Sequence, residues 1–283
     1  MEQAVFIVWR ESIEALLVVG ILYAWLRRQP SAQLALRYLW AGVGLGLLLA
    51  GGLAGLMLLA GQWLSGPAGE YFQAGMTLLA SLLIMQMLGW MARHGGQLRQ
   101  QLEGGADSAL AQGRYLGLLM LAMLAVGREG GETVIFLYGI GSQQASGQLG
   151  QFALGGALGL LLGGLCFALL QAGSRVIGWR QFFRVSEWLL MLLLGGALLM
   201  SALDRISGQL LGLELPNLAY QLLGDPLWNS SALLDDGSRG GALFASLTGY
   251  RAMPSALAVL LLAGYWWLAR RLTRGARLAG ARA

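Results

Sequence analysis

Apolar residues in this chain neither alternate nor mark a single helical face. They fill long stretches separated by short polar clusters. A helix that crosses the hydrocarbon core of a bilayer needs roughly 20 predominantly apolar residues. Seven stretches meet that requirement, at about 3–26, 37–63, 71–92, 115–140, 149–173, 185–206 and 253–270. Tyr, Trp and Arg stand near many of their ends, as interfacial anchors do. The pattern predicts an all-α, polytopic membrane protein of seven transmembrane helices, with residues 1–283 forming one integral membrane domain. Two further stretches do not span. Residues 93–113 read as a short amphipathic helix and a turn. Residues 207–252 hold Pro216, Pro226 and a turn signal at "DDGS", and are too long for a plain connector. They read as an external loop that caps an exit or docks a partner.

Charge adds an orientation. Arg27, Arg28 and Arg37 flank the first loop, Arg93, Arg99 and Arg114 the third, and Arg175, Arg180 and Arg184 the fifth. Arg270, Arg271, Arg274, Arg277 and Arg282 crowd the tail. Loops 64–70 and 141–148 carry no basic residue, and 207–252 is net acidic. By the positive-inside rule the N-terminus lies outside and the C-terminus in the cytoplasm. The formal charge of +5 is therefore topological, which removes nucleic acid as a partner. No cleavable signal peptide is expected, because Arg10, Glu11 and Glu14 interrupt the stretch where its apolar region would lie.

Composition narrows the chemistry. The chain is 57% hydrophobic and 12% charged, against about 25% charged in soluble domains. It has one Cys (Cys166) and one His (His94), too few ligands for an iron–sulfur cluster, bis-His haem or a Cys/His zinc site. No cofactor is expected. No G-x-x-x-x-G-K-[ST] loop is present, so the chain is not expected to hydrolyse ATP through one.

Against this apolar background two charged triplets stand out: Arg10, Glu11 and Glu14 in "RESIE", and Arg128, Glu129 and Glu132 in "REGGE". Successive helical residues turn by about 100°, so each triplet shares one face. Arg at i and Glu at i+4 can pair, which leaves one carboxylate per triplet for another role. Counting about 1.5 Å per residue, Glu11 and Glu132 both lie about 13 Å below the outer surface, and Glu14 and Glu129 about 18 Å below it. The two helices run in opposite directions, so the triplets meet near the midplane. Three spans separate one motif from the next, predicting an inverted repeat of helices 1–3 and 4–6 with a seventh appended. Transport sites lie at the interface of such repeats. Four carboxylates against two guanidiniums leave a formal −2, which suits a cation. Carboxylate oxygens favour hard ions such as Mg, Ca, Mn or ferric iron. The plainer reading is that each triplet is an ion pair locking helices together. Two mirrored triplets with surplus carboxylates weigh toward a cation path.

At "RESIE" and "REGGE" the chain resembles the oxidase-dependent iron permease family, whose hallmark is Arg-Glu-x-x-Glu in the first and fourth of seven helices. "LEGGADSALAQGRYLGLLMLAMLAVGREGGETVIFL" and "LTGYRAMPSALAVLL" resemble stretches of the EfeU-like bacterial iron permeases, so the likeness covers nearly the whole chain. It implies an iron permease of the bacterial inner membrane, not an enzyme. Iron would be the transported substrate, ferric after oxidation of ferrous iron by an extracytoplasmic iron-oxidising or iron-delivering protein. It also implies that Glu11, Glu14, Glu129 and Glu132 bind iron in transit, with Arg10 and Arg128 as motif arginines. Ser12, Ile13 and Gly131 depart from the Gly-Leu common between the motif carboxylates. Gly130 and Gly131 permit closer helix approach or local unwinding.

The alternatives are a transporter of another hard cation such as Mn2+, a membrane iron sensor, and an intramembrane lipid enzyme using the glutamates as acid and base. A sensor should show an output domain, and a lipid enzyme more basic groups beside its carboxylates. Elsewhere, Glu187 reads as an interfacial salt bridge, Glu70 as a surface carboxylate, and Asp204 and Arg205 as solvated residues closing the sixth helix. Met85, Met87 and Cys166 read as packing.

Overall fold

A computed structural model describes residues 2–29, 32–64, 66–94, 98–111, 115–141, 149–172, 195–211 and 221–280. In chain order the helices are α1 (Glu2–Leu26), α2 (Ala32–Trp63), α3 (Pro67–His94), α4 (Leu98–Ala111), α5 (Tyr115–Gly141), α6 (Leu149–Ala172), α7 (Gly196–Leu211), α8 (Arg239–Thr248) and α9 (Ala256–Gly280). The described residues contain no strand, only an isolated bridge between Pro226 and Ser255. The fold is all-α.

The expected spans fall on these helices, with shifted ends. α2 starts five residues before the expected 37, because "AQLAL" is a good helix former despite its polar Gln33. Of the sixth span, residues 185–194 lie outside the described residues. Its described part, α7, runs beyond 206 to Leu211. The segment 207–252, expected as an external loop, is thus helical at its start and again at α8. Residues 98–111 form the expected amphipathic helix, α4.

Two helices carry the clearest membrane signature. Ala32–Trp63 and Gly150–Leu169 are long and apolar enough to span, and only 17% of the most apolar window of each is buried. A core helix of a soluble protein would hide this surface. Here Leu47, Leu48, Leu56 and Leu58 of α2 and Leu154, Leu160, Leu161 and Leu165 of α6 are exposed. Exposed apolar surface on this scale is consistent with a membrane protein.

The chain divides into two compact units. The first comprises residues 1–59, 94–137 and 144–182. In it, α1 lies along α6. Val18, Leu22 and Leu26 of α1 pack with Ala35 and Leu39 of α2, Leu102 and Ala106 of α4, and Leu118 and Ala122 of α5. Leu102 and Ala106 are four apart, so one face of α4 enters this core while the opposite face stays polar. Tyr38 stacks on Tyr115 at 5.5 Å, joining the starts of α2 and α5.

The second unit comprises residues 60–93, 138–143 and 183–283. Met200 and Leu203 of α7 pack on Ala258 of α9. Buried hydroxyls of α3 tie it to its neighbours: Thr77 donates to the Gln73 carbonyl and to Gly139, and Ser81 donates to the Gly195 carbonyl at 2.9 Å. Arg205 is not simply solvated, as the sequence suggested; it pairs with Glu70 at 2.7 Å. Asp204 likewise accepts from Arg251 Nε at 3.0 Å. At "DDGS", Asp235 Oδ1 accepts from the Gly237 amide, and Ser238 caps α8 by accepting from the Gly241 amide. α8 ends at Gly249, whose φ of 76° suits glycine. The backbone of Gly249 passes close to Gly196, leaving no room for a Cβ.

Candidate metal centre

The site lies wholly within the first unit. It begins with how α1 and α5 are held, because both bring charge into an apolar interior. Along α6, Gly159 sits against α1 so closely that a Cβ would come within 2.6 Å of the Val5 carbonyl oxygen, 2.9 Å of the Val8 Cβ and 3.0 Å of the Trp9 nitrogen. Along α2, a Cβ on Gly46 would come within 2.9 Å of the Met123 carbonyl oxygen, the Val126 Cβ and the Gly127 nitrogen. Counted from the motif arginines, these are the same three positions: five, two and one residue before Arg10 and Arg128. One turn further on, the match continues. Gly163 abuts Ser12, and Ala50 abuts Gly130, each two residues past its arginine. Each motif helix is therefore gripped at one register by a small-x-x-x-small pair, Gly159 and Gly163 or Gly46 and Ala50. Such pairs are visible in the sequence, within "GGALGLLLGG" and "GVGLGLLLAGG", and went unused in reading the site. At Gly130 the outcome is close approach: α5 runs through unbroken, and a Cβ there would lie 2.7 Å from that of Ala50.

The two motifs then differ. The Arg10 side chain is wholly buried, and its guanidinium forks between two carboxylates, Nη1 to Glu11 at 2.6 Å and Nη2 to Glu14 at 2.5 Å. An i,i+4 partner was foreseen; an i,i+1 partner was not, since such neighbours do not face each other on a helix surface. The long guanidinium folds back over α1, and both acids turn toward it. In the second motif Arg128 Nε pairs with Glu132 at 2.9 Å, and the arginine side chain is 39% exposed. Here the arrangement is the foreseen one.

Glu11, Glu14 and Glu129 converge: all three are buried, and one carboxylate oxygen of each lies within 4.8 Å of the others. Depth alone pairs Glu14 with Glu129 and Glu11 with Glu132. Glu129 joins both acids of α1, and Glu132, paired with Arg128, stands beside this trio. Depth counting takes no account of side-chain reach, which spans a helical turn. Glu132 is still close enough to act electrostatically on Glu11 and Glu129. Oε2 of Glu11, of Glu129 and of Glu132 is buried with no hydrogen-bond partner. Buried oxygens of this kind are costly unless something else satisfies them.

Ligand oxygens about 2.3–2.6 Å from a hard cation stand at most roughly 5 Å apart. At up to 4.8 Å apart the trio could share one ion of calcium's size, and a smaller ion after closing in by a few tenths of an ångström. Other sequence candidates lie elsewhere: Glu70 and Asp204 are held by arginines of the second unit, and Glu187 lies outside the described residues. Cys166, half-buried on α6, accepts a hydrogen bond from Trp9 Nε1 at 3.3 Å.

A family model described as the iron permease FTR1 family matches residues 1–275. The chain is 29% identical over 260 residues to proteins named ferrous iron permease EfeU from Escherichia coli O157:H7 and Shigella sonnei, covering 88% of this chain and 86% of each relative. It is 30% identical over 174 residues to the protein of that name from Yersinia pestis, covering 58% of this chain and 56% of the relative. No solved structure matches.

Proposed function

The chain belongs to the iron permease FTR1 family, and from that premise we propose that it imports iron across the bacterial cytoplasmic membrane through the carboxylates of its two motifs. The observation that carries this reading is the convergence of Glu11, Glu14 and Glu129, from two helices, with Oε2 of Glu11 and of Glu129 buried and without a hydrogen-bond partner. Glu132 completes the set from beside Arg128. Iron is substrate here: it enters, exchanges water for carboxylate oxygen, and leaves on the other side. The protein's work is to offer ligands at a depth where hydrated ions do not go.

The topology follows the charge pattern, with seven spans, N-terminus outside and C-terminus in the cytoplasm. Spans 1–3 and 4–6 form an inverted repeat. Its support is the matched register at which Gly159 and Gly163 meet α1 and Gly46 and Ala50 meet α5. An extracytoplasmic partner oxidises ferrous iron and delivers it as ferric, as the family resemblance implies. The curated relatives carry ferrous iron in their names, so the valence accepted is the point to measure.

The test is flux into proteoliposomes. Radioactive iron is offered as ferrous ion and as a ferric chelate, with Mn2+ as competitor, to wild type, Glu11→Gln and Glu129→Gln. Saturable iron entry lost in both variants supports the carboxylate path. Folded wild type that moves no iron in either form, with an oxidising partner supplied, overturns it. Equal flux of Mn2+ and iron would make the protein a general hard-cation carrier.

A further inference from the structure

The two motifs carry the same residues in the same order, and their arginines do different things. Arg10 has no exposed surface and bridges both acids of its own motif. It holds Glu11 and Glu14 in place while one oxygen of each faces the Glu129 oxygen. Arg128 pairs with Glu132, and over a third of its side chain is open. The enclosed side chain cannot move without vacating a packed interior; the partly open one is not confined in that way.

With every group in place, the four carboxylates and two guanidiniums sum to a formal −2, the complement of a divalent ion. If Arg128 swings outward, the remaining groups sum to −3. The same movement releases Glu132, whose second oxygen is already buried without a partner. The site then offers a fourth carboxylate as well as the third unit of negative charge. In a medium of low dielectric, one unit of charge within a few ångströms outweighs small differences in ligand geometry.

Resting on the carboxylate-path reading, we propose that the Arg128–Glu132 pair is the valence-determining element of the site: closed it suits a divalent cation, and open it completes a trivalent one. Glu11, Glu14 and Glu129 serve as ligands in both states. Arg10 acts as the fixed counter-charge and Arg128 as the movable one. The element is single because only the second motif leaves its arginine partly open.

The test uses redox-inert probes on the full-length protein in detergent: Mn2+ as the chloride and Ga3+ as its citrate chelate. Affinities of both are measured by isothermal titration for wild type, Arg128→Gln, Glu132→Gln and Glu129→Gln, each confirmed monodisperse. The quantity read is the ratio of Ga3+ to Mn2+ affinity. Glu132→Gln should lower it about tenfold and Arg128→Gln should raise it by a similar factor, while Glu129→Gln weakens both ions. A ratio within twofold of wild type in both pair variants overturns the proposal. So does a shift of the same sign in both. Wild type that binds neither ion overturns the carboxylate-path reading itself, a distinct result. If one pair variant fails to fold, the other decides the sign alone.

Discussion

Gly163 of α6 packs directly on Ser12 of α1, so closely that a Cβ on the glycine would come within 2.8 Å of the serine Cβ. Ser12 lies between Glu11 and Glu14, so this contact fixes the backbone that carries both acids. Gly159, one turn earlier, meets backbone atoms of Val5 and Trp9, which cannot rotate aside as a side-chain tip would.

Gly159→Leu should therefore force α6 off α1. Overpacking of this kind costs about 1–3 kcal/mol or more, and the expected outcome is a lower Tm in detergent together with lost metal binding. Gly44→Ala is the control, since nothing lies within 4 Å of a Cβ there. Unchanged Tm in Gly159→Leu would show that the helix contact does not hold the site.

The motif arginines should differ in their effect on stability. Arg10→Gln leaves Glu11 and Glu14 buried beside each other without a counter-charge, and breaking a buried pair this way costs about 3–5 kcal/mol. Arg128→Gln removes a partner that is partly open and should cost less. Thermal unfolding of the two variants side by side checks the order, which reverses if Arg128 is the structural residue.

Ser81→Ala removes the bond from α3 to the Gly195 carbonyl. Hydrogen bonds between membrane helices average about 0.6 kcal/mol and reach about 1.7, so a small drop in Tm is expected. Proteolysis of 195–211 should quicken, because the substitution loosens α7 rather than the carboxylate site. Unaltered proteolysis would show that other contacts hold this segment.

Ser238→Ala removes the N-cap of α8 and should cost this helix about 1 kcal/mol. Amide hydrogen exchange across 239–248 should speed up while iron flux holds, as the cap belongs to the second unit and the motif residues to the first. Loss of flux would give this external segment a part in transport.

Topology is checked by thiol labelling in a Cys166→Ser background. Ser231→Cys should react with an impermeant maleimide added outside intact cells, and Arg271→Cys only after the membrane is opened. The reverse pattern would turn the protein over in the bilayer, and with it the proposed direction of transport.

The long apolar stretches determined the helices, because a bilayer demands continuous runs that no other environment requires. The motifs determined which helices carry charge, because an acid inside such a run stands out at once. α4, the turn at Asp235 and the small-residue spacing of α2 and α6 are equally local patterns, legible in the sequence. What the sequence left open was decided by side-chain direction. Depth set Glu14 level with Glu129 and Glu11 level with Glu132; that Glu129 meets both acids of α1 came from side-chain direction. Arg205 reaches Glu70 across 135 positions, which no local pattern reports. The division of labour between Arg10 and Arg128 has the same origin. Identical residues at identical spacing acquire different burial from the helices packed around them, and burial determines which guanidinium is fixed and which can move.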